Sequence, residues 1–418
     1  MQLKRHQPIR GALAAATCAL VSAAPGMAWA VEAGGDWNVD SALLVYSEID
    51  RVTVVEPLVN MKKQIGEDEY LSGKLVLDAM TGASPNGATA TNRPQTFTSP
   101  SGNLYTAPAG ETPLRDFRDQ RVAVSGEWDK PLDRMLRGLF GASLSGETDY
   151  TSVGASAQLN WDVNDRLTTL SAGLAYYADT VNPESGAPVG LATVATATTG
   201  GNALSKDTAD LLLGVTQVVN RRTLTQLNYS HSAASGYLTD PYKIVSIVDG
   251  TTGETVDYRY EKRPDSRARD AVFWKLVYRL PEDVIHLSYR YLWDDWGVAS
   301  HTADIKYRYE LDGGAYVQPH LRYYAQTAAD FYRHSLINGA ALPEHASADY
   351  RLGDLTTITA GLKYGWSPTK RANWSARVEY MLQSGESHPS DAIGVQKDQN
   401  LFPDVAAWIL QVSYSAQF

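Results

Sequence analysis

From Trp408 to Phe418 every second residue is apolar: Trp408, Leu410, Val412, Tyr414, Ala416 and Phe418. Between them stand Ile409, Gln411, Ser413, Ser415 and Gln417. Side chains of a strand point alternately to opposite faces, so this segment has one greasy face and one mostly polar face. The period recurs along the chain. Leu71, Leu75, Leu77 and Ala79 alternate with Ser72, Lys74 and Asp78. Val153, Ala155, Ala157, Leu159 and Trp161 alternate with Gly154, Ser156, Gln158 and Asn160. Ile285, Leu287, Tyr289, Tyr291 and Trp293 oppose His286, Ser288, Arg290 and Asp294. The pattern predicts about sixteen strands: 37–48, 50–61, 69–80, 118–128, 135–147, 151–163, 167–178, 208–219, 223–234, 269–280, 284–295, 301–311, 315–327, 355–366, 373–384 and 404–418. The first two are hardest to phase, because Leu43, Leu44, Val45 and Tyr46 break the alternation.

These runs exceed the roughly 5–6 residues of a soluble strand and match the roughly 9–11 that a tilted strand needs to cross a bilayer. A bilayer inverts the soluble arrangement, with apolar residues outside and polar ones inside. The expected fold is therefore all-β: a transmembrane antiparallel barrel. Short links at 129–133, 164–166, 220–222, 281–283, 312–314 and 367–371 are rich in turn formers. Long links fall near 81–117, 179–207, 235–267, 327–354 and 384–403. Short periplasmic turns and long external loops are the outer-membrane pattern. Trp128, Trp161, Trp366 and Trp374 then fall at periplasmic strand ends, and Trp293, Trp296 and Trp408 at external ends, as two aromatic girdles.

Residues 1–30 read as a leader. Lys4, Arg5 and Arg10 precede the small-residue apolar run from Gly11 to Ala24, and Ala28-Trp29-Ala30 is a cleavage site of small-x-small form. This segment holds the single cysteine, Cys18, so residues 31–418 offer no thiol for a disulfide, a redox pair or a zinc site. It also carries three Lys/Arg and no acid, so the charge of the remainder is 34 minus 47, or −13. That balance argues against a nucleic-acid partner. The expected location is the outer membrane of a Gram-negative bacterium, with outer-membrane lipid as the surrounding partner.

Parity places Lys275, Arg279, Arg290, Lys306, Arg308, Arg322, Lys363 and Arg377 inside the barrel, with Asp294, Asp304, Glu310 and Glu379. Excess cations along a pore favour anions. The same charges could equally pair across strands and merely solvate the wall. Catalytic motifs are few. His286-Leu287-Ser288 has the His-x-Ser spacing of outer-membrane lipid hydrolases, but at the periplasmic end and facing inward; Ser232 follows His231 directly and so points the other way. No HExxH, GxSxG or P-loop occurs, and no cofactor or metal is implied.

Three blocks stand out: Thr81-Gly82-Ala83-Ser84-Pro85-Asn86-Gly87-Ala88, Ser235-Gly236-Tyr237-Leu238-Thr239-Asp240-Pro241-Tyr242-Lys243, and Tyr260-Glu261-Lys262-Arg263-Pro264-Asp265-Ser266-Arg267. With Asp295-Trp296-Gly297 and Arg322-Tyr323-Tyr324-Ala325-Gln326, the chain resembles an uncharacterised family of Gram-negative outer-membrane proteins, a domain of unknown function. The resemblance implies a barrel over nearly all of residues 31–418 and an accessory role beside exported redox or flavin-attachment proteins. Asp240, Arg263, Asp265 and Arg267 fall in external loops, where they could pack one loop on another or latch the mouth. The expected function is a porin-like channel for small solutes with a mild anion bias. The alternatives are a non-conducting scaffold for an exported, redox-associated periplasmic or surface protein, and a lipid-modifying enzyme.

Overall fold

The structure is a computed structural model that describes residues 37–98, 104–184, 186–197, 200, 201 and 203–418. The expected leader and its cleavage point at Ala30 lie outside the described residues. Sixteen strands close into one barrel. They are β1 (Trp37–Glu48), β2 (Val52–Gly66), β3 (Glu69–Pro85), β6 (Leu114–Asp133), β7 (Leu136–Gly146), β8 (Tyr150–Val163), β9 (Thr168–Val181), β10 (Leu204–Asn220), β11 (Thr223–Gly236), β14 (Ser266–Arg279), β15 (Val284–Asp294), β16 (Ala299–Glu310), β17 (Tyr316–Gln326), β19 (Leu355–Thr369), β20 (Ala372–Gly385) and β21 (Val405–Gln417). Among the described residues five shorter strands lie off the wall: β4 (Gln95–Thr98), β5 (Leu104–Ala107), β12 (Ile244–Val248), β13 (Thr255–Tyr260) and β18 (Ser335–Ile337). Every wall strand runs antiparallel to its neighbours, and β1 pairs with β21 to close the ring, Leu43 opposite Val412.

The period of two becomes two surfaces. Leu75, Val124, Leu144, Leu174, Ile305, Ile358 and Leu410 are all exposed on the outside. A soluble protein rarely leaves an apolar band of this extent open to water, so hydrocarbon is its solvent. Lipid also explains why the backbone closes on itself, since an unpaired strand edge in hydrocarbon costs several kcal/mol per group. At the periplasmic rim Tyr364, Trp366, Trp374 and Tyr414 form a run of neighbouring rings, with centroid spacings of 5.5, 6.3 and 4.7 Å. The turns there are tight: Asn164, Asp165 and Arg166 hold φ of 52°, 52° and 64° in the left-handed region.

Three expectations change. Leu44 and Tyr46, which blur the first strand, both point inward; the Tyr46 hydroxyl donates to Glu48 at 2.8 Å. Strands β3 and β6 are longer than their alternation suggests, pairing from Tyr70–Asp129 up to Pro85–Leu114. Above the membrane the outward positions of β6 are Asp116, Arg118 and Gln120, so the apolar signal stops while the strand continues. Trp296 is not a girdle residue: it is buried under the loops, edge-on to Phe331 at 5.0 Å.

Candidate functional site

The registers carry one face around the ring, so the inward residues follow from pairing. Lys275 stands opposite Ser288, Ser288 opposite Asp304, and Asp304 opposite Arg322. Lys363 pairs in register with Arg377 on the same face. Much of the charge expected on this wall is neutralised locally. Lys306 meets Asp304 at 3.3 Å, Arg308 meets Glu310 at 2.5 Å, and Arg377 lies 3.6 Å from Glu379. His320, opposite Lys306, bridges Asp304 at 2.6 Å and Glu379 at 2.7 Å. Asp294 pairs with Arg267. Lys275, Arg279, Arg290, Arg322 and Lys363 lack a carboxylate partner among the described residues; Lys363 instead points at the Tyr316 ring, 5.9 Å away. On the opposite wall Ser125 pairs with Ser143 and Gly141 with Ser156, and the same stretch holds Lys74, in register with Ser125, and Glu127, in register with Gly141. Its other charges include the pairs Arg121–Asp78 and Lys206–Asp179 and the triad Lys62–Asp129–Arg137.

Neither histidine–serine combination forms a hydrolase dyad. His286 and Ser288 both face inward, and no hydrogen bond joins them. The His231 Nδ1–H donates to Asp270 on the outer face (2.9 Å), while Ser232 turns inward to accept from Arg269 at 3.1 Å.

The external mouth is covered by a folded cap. The segment leaving β11 crosses to the rim at β3, six strands away round the wall. There the Lys243 ammonium donates to the Pro85 carbonyl, and the Ile244 amide donates to the Asn86 carbonyl at 2.9 Å. The Tyr242 hydroxyl reaches Asp149, between β7 and β8, at 2.8 Å, and Arg115 lies 4.5 Å over the Tyr242 ring. Strand β12 then pairs with β13 and with β18, so loops from two sides share one small sheet. Val245, Ile247, Leu336 and Ala346 pack beneath it. Gly87 is needed where this sheet meets the first loop. Its φ is +98°, and a Cβ there would sit 2.2 Å from the Ile244 carbonyl oxygen.

The cap encloses an ion cluster. Glu261 and Arg263 lie 2.7 Å apart, and Arg263 reaches Asp349 at 3.0 Å. Arg351 grips Asp349 with its Nε at 2.8 Å and reaches Asp240 at 3.3 Å. The Asp240 amide donates to Glu261 at 2.7 Å, and Ser347 donates to the other Glu261 oxygen. Burial pushes Asp349 up, but Arg351, Lys243 and Arg263 outweigh it and hold the carboxyl well below the usual range. Burial lowers the Lys243 ammonium to about 8, against the pull of Asp349. Burial raises Glu261 in spite of Arg263.

Of the loop residues that sequence position groups together, Asp240 and Arg263 join this cluster. Arg267 instead turns to Asp294 and stacks 4.3 Å over Trp296, and Asp265 is exposed, its backbone carbonyl holding the Gly236 amide at 2.8 Å. The three sequence blocks meet here: Pro85 and Asn86 of the first, Asp240 and Lys243 of the second, Glu261 and Arg263 of the third. Asp349 and Arg351 come from outside those blocks, over 80 residues away, and sequence proximity gives no sign of them.

A closed sixteen-strand wall, apolar outside and polar inside, defines an outer-membrane β-barrel. The chain belongs to a family described as protein of unknown function (DUF3570), whose model matches residues 10–416. No curated protein matches it. Solved structures similar to it include a bacterial polysaccharide outer membrane secretin, at 10% identity and TM-score 0.45, covering 91% of this chain and 98% of that one. The Pseudomonas putida toluene transporter TodX is similar at 10% identity and TM-score 0.39, covering 99% and 95%. Pseudomonas aeruginosa OccK5 (OpdH) is similar at 9% identity and TM-score 0.40, covering 91% and 98%. Likeness at this level adds nothing to the barrel already described.

Proposed function

We propose that the protein is an outer-membrane channel for small solutes, biased towards anions and screened externally by its own loops. One observation carries this reading. The inner wall from β14 to β19 keeps Lys275, Arg279, Arg290, Arg322 and Lys363 without carboxylate partners, whereas its acids are all paired. Uncompensated fixed charge inside a water-filled wall concentrates ions of opposite sign. Passage is passive, driven by the solute gradient, and the cap limits what reaches the lumen. The test is conductance across a planar bilayer with a salt gradient; a reversal potential set by the anion supports the reading, and one set by the cation removes the bias.

A second reading has its own support. A cap that crosses the mouth and buries an ion cluster suits a scaffold that holds an exported partner without conducting. Absence of current from folded protein, with a periplasmic or surface protein retained on purification, would favour it.

A further inference from the structure

Arg290 on β15 and Arg322 on β17 flank the same stretch of β16. Arg290 is level with Thr302, Thr302 is level with Tyr324, and Arg322 is one inward step nearer the periplasm. The two strands lie about 10 Å apart across β16, within reach of two extended arginine side chains. Both face the lumen, so the two guanidiniums share one stretch of its surface. Tyr324 is fixed in place, donating to Gln326 at 2.5 Å. The carboxylates within range are already taken: Asp304 by Lys306 and His320, Asp294 by Arg267. Among the described residues neither guanidinium has a hydrogen-bond or ion-pair partner.

Two neighbouring cations lacking counter-charges, Arg290 partly buried and Arg322 exposed to the lumen, repel each other unless an anion sits between them. A guanidinium offers paired N–H groups in a plane, which match the two oxygens of a carboxylate or phosphate better than a spherical halide. We propose that Arg290 and Arg322 form an oxyanion-binding subsite in the lumen, and that the solutes carried bear a carboxylate or phosphate group. This deepens the channel reading and rests on it for transport, but the binding itself does not require conduction. A simple anion bias would leave passage unsaturable; a built subsite makes it saturable and chemically selective.

Calorimetric titration of the folded barrel in detergent, in 100 mM chloride, separates the two. The probes are inorganic phosphate, succinate and a neutral disaccharide. The expected result is saturable binding of phosphate or succinate, with none for the disaccharide. Whichever oxyanion binds tighter identifies the group carried. Arg290→Gln and Arg322→Gln should each weaken that binding at least tenfold, whereas Lys62→Gln, on the opposite wall and paired with Asp129 at 3.2 Å, should leave it within twofold. Heat-modifiable gel mobility verifies that each variant is folded. Binding absent from the wild-type barrel, or equally strong in both arginine variants, overturns the subsite. Binding that persists in a barrel showing no bilayer current leaves the subsite standing and removes the channel instead.

Discussion

The Lys243 ammonium, carried across the mouth from β11, donates to the backbone carbonyl of Pro85 at the top of β3. This contact ties the far end of the cap to the barrel rim. Both partners are shielded from water, so the bond has no aqueous substitute.

Lys243→Met should therefore loosen the cap without unfolding the wall. An unsatisfied buried carbonyl costs about 1–3 kcal/mol. Limited proteolysis should cut between β11 and β14 at least several-fold faster in the variant. Unchanged cutting would show that the contact does not hold the cap.

Asp349 binds two guanidiniums, Arg263 and Arg351, inside the cap. Asp349→Ala leaves the buried Arg263 and the partly exposed Arg351 without that counter-charge, a loss of about 3–5 kcal/mol. Hydrogen exchange should speed up in β12, β13 and β18 while β14–β17 stay protected. Equal exchange across cap and wall would contradict a cap that opens as its own unit.

The cap should also respond to pH. Lys243 titrates near 8 in the closed cap, below its ordinary value of 10.5. Between these values the open form binds more protons, so closing becomes more favourable as pH rises from about 8 to 10.5. The gain is of order 3 kcal/mol when complete. Asp349 works in the same direction in a separate, acidic window: its contribution is present above 3.8 and fades as pH falls towards its depressed value. Exchange in β12, corrected for intrinsic rates, should slow between pH 8 and 10 in wild type but not in Lys243→Met. Parallel profiles would contradict the assignment.

Selectivity should depend on pairing rather than on charge alone. Arg308 is neutralised by Glu310 and lies 3.7 Å over the Tyr316 ring. Arg290→Glu and Arg322→Glu should move the reversal potential towards cations, each by more than Arg308→Glu does. Equal shifts from all three would mean that every inward cation counts alike.

The barrel is legible in the sequence because lipid enforces it: each outward position from Leu71 to Leu77, or from Trp408 to Tyr414, must tolerate hydrocarbon. The signal fails where lipid ends. Asp116 and Arg118 continue β6 above the membrane with no apolar face to mark them. The cap is partly legible, since Ile244–Val248 is an apolar run inside a polar loop and Gly87 marks a close approach. Its ion cluster is not, because Asp240, Glu261, Arg263, Asp349 and Arg351 converge only when separate loops fold together. Parity finds the inward cations but not their neutralisation; His320, which joins Asp304 to Glu379, is invisible without cross-strand registers.

The most direct measurement is single-channel current from the folded protein in a planar bilayer with a tenfold potassium chloride gradient, for wild type and Asp349→Ala together. Discrete steps with a chloride-directed reversal potential are predicted, more frequent or larger once the cap is loosened. Silence from both proteins, with folding verified, would contradict a solute channel.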